Sequence, residues 1–450
     1  MTQWFKTGSL TAVGLALVVA ALPARAQNAP ENLLPPPAPA AAPTASPTPA
    51  PTIVAQVPID EPMLSWTKGD ARALLSAIEA IDADGLIPAD YEPAKLRAAI
   101  AAGEGSALDS QASKSFSWLI EDVRDGRTRM DSRIQWFAVD PDVDLHPTAA
   151  IMAQALSSHD VSGALAALAP THPDYAALKA KLAATPASER ATRNLIRVNM
   201  DRWRWLARDM GKFYLLTNVP EFQLRLTVDN EIIRSYRTIV GKPGRTATPQ
   251  LAEVVEGVVF NPTWTVPQSI VKGEGLGARL IGNPRQAARE NYRVTRAANG
   301  TITVVQQPGP GNALGLMKLD MPNEHAIFIH DTPSRSLFAS AQRALSHGCV
   351  RTERATELAM TMAILGAGIT PDDGVKLVTS GKYTRVPMTK SFPVYITYFT
   401  MATDITGKLG QFKDIYARDT AVLASFAAPR KAWDGKRKSS EAVIKLDNPL

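Results

Sequence analysis

The spacing of apolar residues changes near residue 210, and this change limits the fold class of the chain. Before it, apolar residues recur at helical spacing, as with Leu74, Ile78 and Ile81 ahead of Gly85. After it, apolar and polar residues alternate in short runs, as half-buried strands require. Strands that follow one another with few helices between them indicate an α+β or mostly β domain rather than alternating βαβ units.

The helical part is predicted to span residues 59–210. Its last segment, Arg193 to Met210, mixes arginine with tryptophan, a composition that also occurs on nucleic-acid surfaces. Apolar residues recur at helical spacing within this segment, and Arg197, Arg204 and Arg208 lie mostly off that stripe. The pattern therefore favours a packed helix with a solvated basic face.

The β-rich part is predicted to span residues 211–385, with a C-terminal strand and helix extension and a tail over residues 386–450. One helix, Arg354 to Gly368, is closed by glycine. The late segments GVKLVTS and SFPVYITYFTMA are predicted to be strands.

The N-terminus has the pattern of a cleaved secretory signal peptide over residues 1–26. Lys6 precedes an apolar run from Leu10 to Leu22, and the small residues around Arg25 place cleavage near Ala26/Gln27. The run is too short for a membrane span, which needs ~20 residues. The alternative is an uncleaved anchor. No later stretch is long and apolar enough to span a membrane, so no stable span is expected after cleavage.

Residues 27–58 are predicted to be a disordered spacer. Nine prolines lie between Pro30 and Pro51, which prevents helix and sheet and favours extended polyproline II. At about 3.1 Å per residue, the extended stretch from Pro30 to Pro51 would be roughly 70 Å long. The alternative is an unselected tail.

The charge of the predicted mature chain is mildly positive, with 47 basic and 43 acidic residues once Lys6 and Arg25 are removed. This balance suits a polyanionic cell wall or an anionic membrane surface without requiring either. It does not argue for nucleic acid as a partner, and neither does export.

Cys349 is the only cysteine among 450 residues, so it forms no internal disulfide. Free thiols are at risk in the oxidising compartments outside the cytoplasm. A thiol retained there is either used chemically or is a buried, inert residue. Three of the six histidines, His325, His330 and His347, lie within 25 residues of it.

A nucleophilic cysteine needs a base or positive charge that favours its thiolate, and backbone amides that stabilise the oxyanion of acyl transfer. Gly348 allows a tight turn directly before Cys349. The alternation in HAIFIHD places Phe328 and His330 on one side of a strand that ends near Asp331. His330 is thus expected at an exposed strand tip, where a general base is useful.

The sequence also contains two patterns that suggest other kinds of site. The three histidines and Cys349 could supply four zinc ligands, but His325 and His330 are spaced to point to opposite faces of a strand. PGPGNALG, Pro308 to Gly315, follows a strand like a dinucleotide loop, yet its spacing is GxGxxxG and no helix pattern follows.

The segments IHDTPSRSLF and RALSHGCVR resemble the L,D-transpeptidase (YkuD-type) family, whose marks are a histidine at a strand end and an S-H/x-G-C-[VI]-R loop. NPTWTVPQSI, PGPGNALG, SYRTIVGKPGRTATP and PVYITYFTMATD resemble the large periplasmic branch with a helical scaffold domain. The similarity covers roughly Asp70 to Asp419. The usual HGT of the family reads HDT here, as in the large branch. No peptidoglycan-binding repeat module is recognisable between the helical and catalytic parts.

The resemblance implies roles for residues that match the motifs. Cys349 would be the nucleophile and His330 its general base. Ser346 and His347 would belong to the active-site loop, where His347 supports the thiolate or lines the site, and amides around Gly348 and Cys349 would form the oxyanion hole. Two further roles stay open: Arg351 binds a substrate carboxylate or braces the loop, and Trp264 walls the acyl-donor groove or packs in the core. Residues 268–308 would form a mobile cap.

The function implied by the resemblance is periplasmic peptidoglycan cross-linking by a mostly β catalytic domain, without a cofactor or metal. Its partners would be donor and acceptor stem peptides, and 3–3 links are expected. The alternatives are 1–3 links, an L,D-carboxypeptidase that uses water as acceptor, and a non-catalytic wall-binding protein that retains the fold. The resemblance also implies that carbapenems acylate the cysteine. The sequence predicts no oligomeric state.

Overall fold

The computed structural model describes residues 64–138 and 145–432. The predicted signal peptide, the proline-rich spacer and the end of the tail lie outside these residues. Among the helices described, none combines the length and apolar character that crossing a membrane requires.

The first half of the described chain is helical, as predicted. Thr67 caps the first helix by accepting a hydrogen bond from the Asp70 amide at 3.1 Å. Leu74 and Ile78 are fully buried, and Gly85 ends the following turn at φ +75°. The helices described here are α1 (Lys68–Ala80), α2 (Pro93–Ala102), α3 (Ser106–Asp125), α4 (Thr148–Ser158), α5 (Val161–Ala166), α6 (Pro173–Ala184) and α7 (Arg190–Trp203).

Helix α7 ends earlier than its arginine-rich sequence predicts, and Arg204 is not solvated. Arg204 is 1% exposed, and its guanidinium donates to the Asp84 carbonyl at 2.5 Å and to the Tyr175 hydroxyl at 2.6 Å. The expectation of a solvated face is wrong for this residue because the chain leaves the helix after Trp203 and carries Arg204 inward.

The second half contains more strand than helix, which confirms the α+β class. Its strands are β1 (Phe213–Asn218), β2 (Gln223–Val228), β3 (Glu231–Gly241), β4 (Leu251–Val254), β5 (Gly257–Phe260), β6 (Trp264–Thr265), β7 (Tyr292–Arg296), β8 (Ile302–Gln306), β9 (Met317–Asp320), β10 (Ile329–His330), β11 (Ala344–Ser346), β12 (Val350–Thr352), β13 (Thr384–Pro387), β14 (Pro393–Thr397), β15 (Met401–Thr403) and β16 (Leu409–Gln411). Its helices are α8 (Gln268–Gly273), α9 (Leu276–Ile281), α10 (Pro284–Arg289), α11 (Ala355–Ala367), α12 (Pro371–Thr379) and α13 (Asp419–Ala427).

Most of these strands form one sheet in the order β13-β5-β9-β10-β12-β3-β2-β1-β14-β4, with β11 beside β3. The pairs β10–β12, β11–β3 and β1–β14 are parallel, and the other neighbours are antiparallel. Helix α11 packs against β5 and β9. Strand β14 lies inside the sheet, so the sheet continues past the predicted division at residue 385.

One local prediction differs from the structure, and a second concerns a segment whose elements can now be given. GVKLVTS lies in helix α12 rather than in a strand, because Thr370 caps that helix through the Asp373 amide at 3.1 Å and Pro371 opens it. The region predicted as a cap, residues 268–308, contains α8, α9 and α10 and the strands β7 and β8, which join β6 in a separate sheet.

The C-terminal segment returns to the helical domain through a buried ion pair. The Arg430 guanidinium contacts the Asp122 carboxylate at 3.0 Å and the Glu121 carboxylate at 2.6 Å, and it lies 4.6 Å from the Trp118 ring centroid. The side chains of Arg430 and Asp122 are 1% and 0% exposed. Charges this well buried are costly when one partner is removed.

We therefore expect Arg430→Ala to lower the free energy of unfolding by about 3 kcal/mol or more, because it leaves a buried carboxylate without its main cation. Urea denaturation measures the change. Lys431→Ala is the control, since Lys431 is exposed and should change the value by no more than about 0.5 kcal/mol. Equal losses in the two variants would contradict the proposed importance of this ion pair.

Candidate active site

The parallel pairing of β10 with β12 brings Cys349 and His330 to neighbouring strands. Ile329 pairs with Val350 and His330 pairs with Arg351. The Val350 amide donates to the Phe328 carbonyl at 3.0 Å, which continues the pairing towards Cys349. The Cys349 thiol lies 3.6 Å from the Ala326 carbonyl oxygen and is fully buried. Backbone hydrogen bonds thereby hold His330 and Cys349 on neighbouring strands although the two residues are distant in sequence.

The turn before Cys349 is held on both sides. Gly348 has φ +130°, a conformation that favours glycine. The Ser346 hydroxyl accepts from the Gly348 amide at 3.1 Å and donates to the Cys349 carbonyl at 2.6 Å. The Thr248 hydroxyl donates to the Gly348 carbonyl at 2.7 Å. In this conformation the Gly348 amide would have to leave Ser346 before it could stabilise an oxyanion.

The orientation of His330 follows from one hydrogen bond. Its Nδ1 is paired with the Asp331 backbone carbonyl, which can only accept, so Nδ1 carries the proton. In the neutral imidazole, Nε2 then keeps the basic lone pair. His330 is fully buried, and its ring centroid lies 5.5 Å from that of Phe328. The expectation of an exposed strand tip is therefore wrong, because β10 lies between β9 and β12 inside the sheet.

Asp331 is held in place by the residues that directly follow the PGPGNALG loop and by Arg335. Its carboxylate accepts from the Leu316 amide at 2.9 Å and pairs with Arg335 at 3.1 Å. Its own amide donates to the Met317 carbonyl at 3.0 Å. The Asp331 carbonyl, which orients His330, is thus held in place by the bonds that Asp331 makes with its own carboxylate and amide.

Lys318 is a site residue that the sequence did not predict. It lies in β9 directly opposite His330, and its Nζ is 4.3 Å from the Phe328 ring centroid. Burial lowers the pKa of Lys318, whereas the charges of Asp320 and Cys349 raise it. The alternation Met317, Lys318, Leu319, Asp320 could have identified the strand, yet the segment is only four residues long.

The other predicted residues occupy different environments. Arg351 is 6% exposed and aligns with His330 on one side and Ile239 of β3 on the other. Trp264 is 1% exposed and packs in the apolar core, where β6 pairs with β8. His325 stacks on Phe137 with ring centroids 4.0 Å apart. A role for Trp264 in substrate binding would require its surroundings to move.

Two family descriptions match this chain. Residues 212–395 match the L,D-transpeptidase catalytic domain (YkuD), and residues 61–182 match the Scaffold domain. The first range contains β1 to β13 and most of β14, and therefore both Cys349 and His330. The second contains α1 to α5 and most of α6.

Individual relatives resemble parts of the chain. The Haemophilus influenzae "Putative L,D-transpeptidase" is 30% identical over 223 residues, which are 46% of this chain and 45% of that protein. An L,D-transpeptidase structure from Mycobacterium smegmatis is 14% identical, with 42% of this chain and 59% of that chain covered and a TM-score of 0.20. L,D-transpeptidase 1 from Mycobacterium tuberculosis is 12% identical, with 42% of this chain and 62% of that chain covered and a TM-score of 0.18. This chain thus spans about half of the length of its curated relative.

The contact between Gly315 and Asp331 predicts a position-specific loss of stability. A Cβ on Gly315 would lie 2.4 Å from the Asp331 carboxyl carbon, and the residue has φ +62°. Gly315→Ala should therefore lower the urea midpoint more than Gly381→Ala, which has φ +64° and an open environment. Equal losses would mean that Asp331 moves aside freely and does not depend on this close approach.

Proposed function

Because the chain belongs to the L,D-transpeptidase family, in the branch that carries a Scaffold domain, we propose that it cross-links peptidoglycan in the periplasm through a thioester on Cys349. The observation that supports this most strongly is the β10–β12 pairing, which holds the loop of Cys349 beside a histidine whose Nδ1 is already committed to the Asp331 carbonyl. A thiol beside an oriented imidazole is the arrangement used by cysteine acyltransferases.

The first half-reaction would acylate the enzyme. His330 Nε2 takes the thiol proton, and Sγ attacks the carbonyl carbon of an L-centre that precedes a D-residue. The resulting oxyanion is stabilised by backbone amides of the loop around Cys349. When the tetrahedral intermediate collapses, the C–N bond breaks and His330 gives its proton to the leaving amine of the D-residue. A thioester and a free D-amino acid result.

The second half-reaction would transfer the acyl group. The amine of an acceptor stem peptide attacks the thioester carbonyl and gives its proton to His330. An amide forms, Sγ leaves, and the thiol is restored. Water in place of the amine would give a carboxypeptidase product, so the choice depends on how well the site binds the acceptor and excludes water. The depth of burial of Cys349 favours exclusion of water.

Substrate access is expected to require movement of the cover. Cys349 and His330 are both fully buried, and the Ala326 carbonyl contacts the thiol. We propose that the segment around Ala326 and the 268–308 cap open to admit a stem peptide. Loops and caps that close over a site are a common means of excluding water.

Cys349→Ala should abolish product formation from purified muropeptides, because no nucleophile remains. His330→Ala should lower the rate by at least about 10²-fold, the lower range for a positioned acid–base group. Mass spectrometry of the products is the measurement. His146→Ala is the histidine control, because its side chain is exposed. Full activity of Cys349→Ala would refute the proposed nucleophile, and no activity in the unmodified protein would favour a wall-binding role.

The same assay separates a thiol mechanism from a zinc site. Alkylation of the single cysteine should inactivate the protein, and EDTA should leave the rate unchanged. Inactivation by EDTA with no effect of alkylation would support zinc.

The donor bond is predicted to be the one after the third residue of the stem. A stem of the type L-Ala–D-Glu–diaminopimelate–D-Ala has two bonds from an L-centre to a D-residue, one after the first residue and one after the third. The chemistry of Cys349 serves both, so the pocket for the leaving part decides, and family resemblance favours 3–3 links. Digestion of the cross-linked product identifies the donor. A donor that ends at diaminopimelate is expected, and a donor reduced to L-Ala would overturn the choice.

A further inference from the structure

Lys318 lies on the same face of the sheet as His330. The two residues are direct partners in the antiparallel pair β9–β10, and direct partners project to one face. On the other side of β10, Arg351 pairs with His330, and Cys349 precedes Arg351 by two positions. Because side chains alternate along a strand, Cys349 continues the same face. The thiol, the imidazole and the ammonium group thus share one surface.

The Lys318 side chain lies over the ring of Phe328, two residues before His330. Its Nζ lies 4.3 Å from the centroid of Phe328, whose backbone carbonyl is bonded to the Val350 amide. Cys349 interacts electrostatically with Lys318, since a negative charge on the thiol raises the pKa of the lysine while burial lowers it. A half-buried ammonium of this kind interacts more strongly with a nearby anion than an exposed one.

Other charged groups near Lys318 have partners that the structure identifies. Asp320, two positions along β9, binds the Arg385 guanidinium of β13 at 2.6 Å. The residue opposite Lys318 on β5 is Val259, which is uncharged. The titratable or charged side chains on the strands around Lys318 are Asp320, His330, Cys349, Arg351 and Arg385.

We propose that the ammonium group of Lys318 is the fixed positive charge that stabilises the Cys349 thiolate once the thiol proton has passed to His330 Nε2. This inference rests on the proposed function and adds a residue to it. His330 holds this proton until the C–N bond breaks and then gives it to the leaving amine, while Lys318 keeps its protons throughout. His330 is then neutral and able to accept a proton from the acceptor amine.

Thiolate absorbance titration tests the proposal without any peptidoglycan. A thiolate absorbs in the ultraviolet where a thiol does not, and Cys349 is the only cysteine, so subtracting Cys349→Ala isolates its signal. Lys318→Met should move the titration midpoint upward by about 1 pH unit or more, because a nearby cation typically lowers a thiol pKa by that amount. For a shift of one unit, the thiolate fraction near neutral pH would fall by up to about tenfold.

Matched variants make the outcome specific. Lys318→Arg keeps the charge and should titrate close to the unmodified protein, and Lys318→Gln provides a second neutral variant if the methionine variant does not fold. Lys376→Met, at an exposed lysine of α12, should have no effect. An unchanged midpoint in a folded neutral variant would overturn the proposal, as would a full shift from Arg351→Met without one from Lys318→Met.

Activity measurements separate this inference from the proposed function. In an active protein, Lys318→Met should move the acidic limb of kcat/KM to higher pH in parallel with the thiolate midpoint. If Cys349→Ala abolishes activity while Lys318→Met leaves both profiles unchanged, only the role of Lys318 fails. If Cys349→Ala remains active, the proposed function fails whatever the titration gives.

Discussion

The pairing of the short strands β10 and β12 is the contact on which the rest of the site depends. It joins a histidine and a cysteine loop from separate segments, and it does so with backbone hydrogen bonds that do not depend on side-chain rotamers. Each strand is supported on its outer edge, β10 by β9 and β12 by β3. A shift of β10 by one residue would turn His330 to the opposite face of the sheet. The flanking strands therefore protect the geometry of the site.

Hydrogen bonds from residues around the two strands fix the side chains and the turn that the strand pairing leaves free. Asp331 fixes the tautomer of His330 through its carbonyl, and the Leu316 amide holds Asp331 through its carboxylate. Ser346 and Thr248 hold the carbonyls on either side of the cysteine turn. These contacts fix the positions of the cysteine turn and the imidazole before substrate binds, so that only the cover of the site has to move.

The sequence was informative where a local pattern determines structure, and less so where distant partners determine it. The change of apolar spacing predicted the α+β class, and the HDT and SHGCVR segments pointed to the two residues that β10 and β12 bring to neighbouring strands. The burial of Arg204 and of His330 depends on groups far along the chain, which no local pattern records. Lys318 was missed for the same reason, since its importance comes from a cross-strand neighbour.

The central claim is that Cys349 carries the acyl group, and trapping that intermediate tests it most directly. A donor stem whose side-chain amine is blocked cannot act as an acceptor, so a rapid acid quench should capture the thioester. Intact mass followed by peptide mapping should show one acyl group, bound to the peptide that contains Cys349. Two results would contradict this prediction. The donor is cleaved but the acyl group is found on another residue, or the donor is cleaved and no acyl-enzyme is captured at any quench time.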